Sequence, residues 1–344
     1  MTHFRPHLLC FVVASIAFGS QNASAQTDRI YASGASKAQI GTVTEVTKDG
    51  VKFKTGANVI AIPSETIDKI LFKGDPSGLT KAREFMLDNQ YQQANAELKK
   101  LDFAKINREV VKADAQFYLA ESQAQLALSG RGKKAAAAKL MSSFVAANKN
   151  NWHFYQAAKT IGDLALAIND HKNAEKWYGY LARAASPETK MQSVYLTGVT
   201  KLAKGDGAGA MGDFEKIIGV KADTPGKVRL QTLSKAGKAV VLAKSGKGAE
   251  GLKLVDSLIA ELNPTDVEMA AKIYNAQGAS CEASGDSDGA ILAYLHTHLM
   301  FSTQPDAHAQ ALSKLITLWE KVGKPDRAAQ ARQEMQQRYP GFGS

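Results

Sequence analysis

Two hydrophobic periods divide the chain. Residues 40–46 and 51–54 alternate apolar and polar positions, the period of a half-buried strand. Between them stands Asp49-Gly50, the dipeptide of a tight hairpin. Residues 28–31 and 59–62 read as two further short strands, and Ile67, Ile70 and Phe72 complete the unit. From Leu79 onward the strand signals stop. Ala, Leu, Lys and Gln, all good helix formers, dominate. Apolar positions now recur at spacings of three and four, as in Ala174, Tyr178 and Leu181. Pro76, Ser77 and Gly78 separate the two patterns and read as a linker over residues 76–78.

Small residues recur within the helical part. Gly162, Gly198, Gly237 and Gly278 each stand twelve residues before an alanine, namely Ala174, Ala210, Ala249 and Ala290. Successive glycines are 36, 39 and 41 residues apart. Tyr178, Phe214 and Tyr294 follow three of those alanines one turn later. A last unit keeps Ala328 but carries Ile316 in place of the glycine. Two antiparallel helices approach closely only where both present little side chain, so each unit predicts a helical hairpin. Repetition at this period predicts a stacked array.

On these residues the chain resembles the tetratricopeptide-repeat family. The eighth position of the family pattern falls on Gly162, Gly198, Gly237 and Gly278. The twentieth falls on Ala174, Ala210, Ala249, Ala290 and Ala328, and the twenty-fourth on Tyr178, Phe214 and Tyr294. The terminal proline matches only at Pro340, and the spacings exceed the family's length of about 34 residues. The resemblance covers residues 79–340. The unit at 26–75 resembles the small SH3-like or Sm-like barrels found at the front of exported bacterial repeat proteins. The expected fold class is therefore mainly α: an α-solenoid of antiparallel hairpins preceded by a small β-barrel-like module.

Residues 1–25 read as a secretory signal. Arg5 is the only charge, residues 8–18 are apolar, and Ala23-Ser24-Ala25 offers a small-x-small cleavage pattern before Gln26. The protein is expected to be exported, to the periplasm or beyond. Cleavage removes Cys10 and leaves Cys281, which cannot form an internal disulfide and reads as a buried small hydrophobe. The net charge is +10, carried by lysines at helical spacing over residues 99–139 and 190–253. Arginine is scarce there and aromatics do not interleave, so nucleic acid is not an expected partner. The excess either keeps a solvated face soluble or meets an acidic polymer or a membrane surface.

Chemistry is sparse. His296 and His298 are two apart and point in different directions on a helix. The sequence has no HExxH, CxxC, GxSxG or Walker pattern, so no metal, no cofactor and no catalytic residue is expected. What the resemblance implies is a concave groove lined by the first helix of each hairpin. By register its second position is Gln156, Gln192 and Gln231, with Lys272 on the same face. The fifth is Lys159, Tyr195, Ser234 and Asn275, the ninth includes Asp163 and Lys238, and the twelfth includes Glu282. The three glutamines are either an amide ladder for an extended backbone or ordinary polar helix surface. The expected function is a non-enzymatic exported scaffold for a protein or extended peptide. The alternatives are a module for an acidic polymer or envelope surface, and an enzyme of unidentified class.

Overall fold

The computed structural model describes residues 27–263 and 265–339. The expected signal at 1–25 and the matching Pro340 lie outside them. Five strands come first: β1 (Asp28–Ala32), β2 (Gln39–Thr47), β3 (Gly50–Thr55), β4 (Asn58–Pro63) and β5 (Ile67–Leu71). They form one antiparallel sheet in the order β4-β3-β2-β1-β5. Thr47 pairs with Gly50, so Lys48 and Asp49 form the two-residue hairpin turn.

The sheet is open, and this corrects the barrel-like expectation. Its edges, β4 and β5, lie at opposite ends of the order. On β4 only Ile62 is buried, while Val59 and Ile60 face solvent. A strand with one inward residue cannot close a barrel core. Helices cover the sheet instead: Ile30, Phe53, Ile70 and Phe72 share one continuous core with Leu79, Leu98, Phe117 and Met141.

Fourteen α-helices follow among the described residues, paired into seven hairpins. They are α1 (Ser77–Leu87) with α2 (Tyr91–Lys99), α3 (Glu109–Leu128) with α4 (Lys134–Ala147), and α5 (Phe154–Leu166) with α6 (His171–Leu181). Next come α7 (Pro187–Ala203) with α8 (Gly207–Ile218), and α9 (Pro225–Lys244) with α10 (Gly248–Ala260). The last are α11 (Val267–Ala283) with α12 (Ser287–Met300), and α13 (Pro305–Lys321) with α14 (Pro325–Arg338). None is long and apolar enough to cross a membrane. Starts are encoded locally. Asp170, Asp206 and Asp286 accept from backbone N–H groups as N-caps of α6, α8 and α12, each joined by a short turn to the helix before it.

Residues 76–78 are not a linker. Pro76 caps α1, and Ser77 and Gly78 form its first turn. The corner is rigid because the Asp75 carboxylate accepts from the Phe72 N–H at 2.8 Å and from Arg83 at 2.6 Å. Arg83 is wholly buried and also donates to Asp114 at 2.9 Å, and His153 Nε2 lies 2.8 Å from the other Asp114 oxygen. A chain of hydrogen-bonded polar groups thus runs from Asp75, just after β5, through α1 and α3 to the start of α5. Arg108 adds a second tie, 2.7 Å to the buried Asp28 of β1.

The small-residue pattern explains how the hairpins close. A Cβ on Gly162 would strike the Tyr178 ring. One on Gly198 would lie 2.9 Å from Phe214, and one on Gly278 2.6 Å from Tyr294. Ala174, Ala210, Ala290 and Ala328 are buried against the partner helix. The fifth hairpin departs from the expected register. Ala249 is exposed, and Gly251 occupies the buried site one turn into α10. A Cβ there would lie 2.8 Å from the Ala239 carbonyl oxygen. In this unit the pair is therefore Ala239 with Gly251, the glycine and alanine having exchanged helices. Gly237 instead makes room for Phe214 of the preceding hairpin, at 2.6 Å from a would-be Cβ.

Candidate functional site

The first helices of several hairpins carry charged side chains that influence one another. On α5, Lys159 Nζ meets Asp163 at 2.6 Å, and the Tyr178 hydroxyl donates to the other Asp163 oxygen at 2.8 Å. On α11, Lys272 meets Glu268 at 2.8 Å, and Arg229 of α9 pairs with both Glu268 (2.5 Å) and Asp266 (2.8 Å). These groups act on one another from different hairpins. Lys159 feels Lys272 and Glu268, three hairpins further on, and Asp306 of α13 feels Asp163, Lys272 and Lys159.

Neighbouring charges shift the protonation of these groups, although their side chains keep solvent contact. Burial pushes the Glu268 carboxyl up, but the pull of Lys272, Arg229 and Lys159 outweighs it and holds the group at about 2. Burial and the Asp163 charge raise Asp306, whose side chain nonetheless keeps solvent contact. Burial lowers Lys159, and the Asp163 carboxylate more than restores it. Tyr91 of α2 is pushed up to about 12 by burial and by Glu121 and Glu268. These residues are thus mixed in sign, with Lys159, Lys272 and Arg229 set among Asp163, Asp266, Glu268 and Asp306. The lysine excess lies elsewhere; Lys216 and Lys253, for example, stand exposed on the second helices α8 and α10.

The residues expected from register divide accordingly. Lys159, Asp163 and Lys272 belong to this charged set. Tyr195 is buried, close enough to Lys272 to influence it. Gln156 is exposed and Gln192 half-buried. Gln231 does not extend an amide ladder, because its amide donates to the Ile217, Ile218 and Val220 carbonyls at the end of α8. Ser234 is fully buried and donates to the Leu230 carbonyl. Asn275 is buried and donates to the Ala307 carbonyl at 2.9 Å. Lys238 pairs with Glu215 and Glu282 with Lys314, each joining neighbouring hairpins.

Sequence reading missed Arg229, Asp266, Glu268 and Asp306. Glu268 and Lys272 stand at the i, i+4 spacing of a helical ion pair, which was the available signal. Their partners come from other hairpins and leave no local trace. A second cavity was also missed. It measures about 250 Å³, at the junction of the β2–β3 turn with α4, α5 and α6. Phe154, Trp177 and Tyr180 form its aromatic wall, with Trp177 and Tyr180 centroids 5.2 Å apart. Lys48, Lys149 and Arg183 stand around it. The turn is anchored there: Asp49 accepts from the Ala185 N–H at 2.8 Å and from the Tyr155 hydroxyl at 3.2 Å. The absence of a ligand triplet along the sequence did not anticipate a third cluster, where His298, His308 and Glu334 converge near the C-terminal end.

Comparisons with known proteins address the fold. No family model matches the sequence, and no curated protein matches it. Solved structures do. A tetratricopeptide repeat protein from Parabacteroides merdae aligns with a TM-score of 0.52 at 16% identity, over 76% of this chain and 91% of that one. A Rap protein complexed with competence and sporulation factor aligns with a TM-score of 0.54 at 14% identity, over 76% and 73%. The chain therefore has the helical-repeat fold of tetratricopeptide-repeat proteins, with an open antiparallel sheet at its front.

Proposed function

We propose that this protein is a non-enzymatic, exported scaffold that holds an extended peptide or a protein segment in its concave groove. The observation that carries the reading is the charged set of Lys159, Asp163, Glu268, Lys272 and Asp306, which act on one another although they belong to three different hairpins. Side chains of both signs held within one set suit a chain whose own charges alternate. The likeness to a Rap protein complexed with a factor agrees with this use of the fold. Export rests on the leader-like composition of residues 1–25.

Peptides selected from a random display library against the full-length protein test the groove. Their affinity should fall about tenfold or more in the double variant Lys159→Ala/Lys272→Ala, as expected when charged contacts worth 1.4 kcal/mol or so are lost. Unchanged affinity would remove the groove from the account. A second reading rests on the junction cavity. Its aromatic wall and three cations suit a carboxylate-bearing polymer such as an acidic polysaccharide. Binding there should weaken steeply with salt and disappear in Trp177→Ala, with the groove variant unaffected.

A further inference from the structure

Three helices bring three ligand-type side chains together at the C-terminal end of the array. His298 lies on α12, His308 on α13 and Glu334 on α14. His298 Nδ1 and His308 Nε2 are 2.8 Å apart, and the two rings are nearly parallel. Glu334 oxygens lie 3.9 Å from Nε2 of each ring. One donor atom from each residue falls within a 4.8 Å cluster. The His308 side chain is fully buried, whereas those of His298 and Glu334 keep 18% and 32% of their exposure, which leaves an approach from solvent. On the far side, the Tyr339 hydroxyl lies 2.6 Å from His308 Nδ1.

We infer that His298, His308 and Glu334 bind a divalent transition-metal ion of the zinc type, with two imidazoles, one carboxylate and a fourth position open to solvent. Two nitrogens and one oxygen match zinc's borderline preference; magnesium and calcium favour oxygen alone. Zinc–nitrogen bonds of about 2.0–2.1 Å set tetrahedral nitrogens roughly 3.3 Å apart, so the rings must part by about 0.5 Å and also turn, because their lone pairs now point at each other rather than at a common centre. Arg338 donates to Glu334 Oε1 at 2.9 Å, the oxygen that lies 3.9 Å from His308 Nε2, and so orients the carboxylate toward the ion.

Tyr339 is the positioning residue. When His308 Nδ1–H donates to the Tyr339 oxygen, Nε2 presents its lone pair to the cluster. Without the ion, the facing nitrogens share one proton between them. With the ion, that proton is relocated by tautomer change: His308 carries its proton on Nδ1 and His298 carries its own on Nε2. Both rings stay neutral, and once they have turned toward the ion it takes the lone pairs of His298 Nδ1 and His308 Nε2. Binding would tie α12, α13 and α14 together and staple the last hairpin to its neighbour.

Untagged full-length protein, stripped with chelator, is titrated with zinc and separately with cobalt. The expected result is one equivalent bound, a tetrahedral cobalt absorption band, and a higher melting temperature with zinc. His298→Ala, a change at a partly exposed side chain, should abolish the band. Glu334→Gln should weaken binding, and Tyr339→Phe should weaken it about 10–100-fold while keeping the spectrum. Circular dichroism establishes that each variant is folded. No binding tighter than millimolar would overturn the site. So would the same band and stoichiometry in folded His298→Ala; the histidine pair would then be a packing contact only.

Discussion

Arg83 is the largest fully buried side chain, and its charge is neutralised by two carboxylates, Asp75 and Asp114. Burial pulls its proton affinity down, but Asp114 and Asp75 outweigh that and raise it. Removing one partner of a buried pair strands the other. Arg83→Ala should therefore destabilise the fold by about 3–5 kcal/mol, read from urea melts. A loss near zero would mean that the carboxylates find water or another donor. His153 ends the same chain, facing Asp114 and stacked on Phe117 at 3.6 Å between ring centroids. Burial pushes its pKa below 6.5, more than Asp114 and the Gln156 contact raise it. The unfolded chain then takes up a proton near 6.5 that the folded chain refuses. Stability from this site is full above that pH and is lost as pH falls toward the lower folded value. Asp114, also lowered, adds a loss in the same direction below its ordinary 3.8. Melting temperature should fall between about pH 7 and pH 5, and His153→Gln should flatten that slope. None of this was legible beforehand. One arginine in a helical sequence looks like any solvated charge, and its partners lie 8 and 31 residues away.

Among the elements, the fifth hairpin is the most informative. Gly251, not Ala249, sits where α10 meets α9 and α11, with the Ala239 carbonyl oxygen and Ser280 Oγ each 2.8 Å from a would-be Cβ. Gly251→Ala should cost about 1–3 kcal/mol through overpacking against backbone. Ala249→Ser, at an exposed position, should change stability by about 0.5 kcal/mol or less. The reverse order in thermal melts would restore the original register. Most of the helical pattern could be read because alanine, glycine and aromatic recur at fixed spacing, a steric rule written locally. It failed where Gly237 obeyed a different steric demand, that of Phe214 from the unit before. The strands were legible for a similar reason, since alternation and Asp49-Gly50 are local. Whether the sheet closes was not legible, because what covers its buried face is Leu79, Leu98 and Phe117, far along the chain.

At the scale of the whole molecule, sheet and first hairpins share one core, tied by Arg108 to Asp28 and by Arg83 to Asp75. The sheet is better regarded as the covered front end of the array than as a detachable module. The export proposal predicts a mature chain beginning at or near Gln26. N-terminal sequencing of protein recovered outside the cytoplasm checks it, and an intact Met1 on that material would contradict it. The proposed groove is likewise a property of the whole array, since Lys159 and Glu268 influence each other although they stand three hairpins apart. That makes site-specific photocrosslinking the most direct measurement. A photoreactive side chain is placed at Gln156, at Asp306 and, as a control, at the exposed Leu292, and each protein is irradiated with a library-selected peptide. The account predicts that the same peptide is captured from Gln156 and from Asp306 but not from Leu292. Capture from Leu292 alone, or from none of the three while the peptide still binds, would contradict a groove-bound ligand.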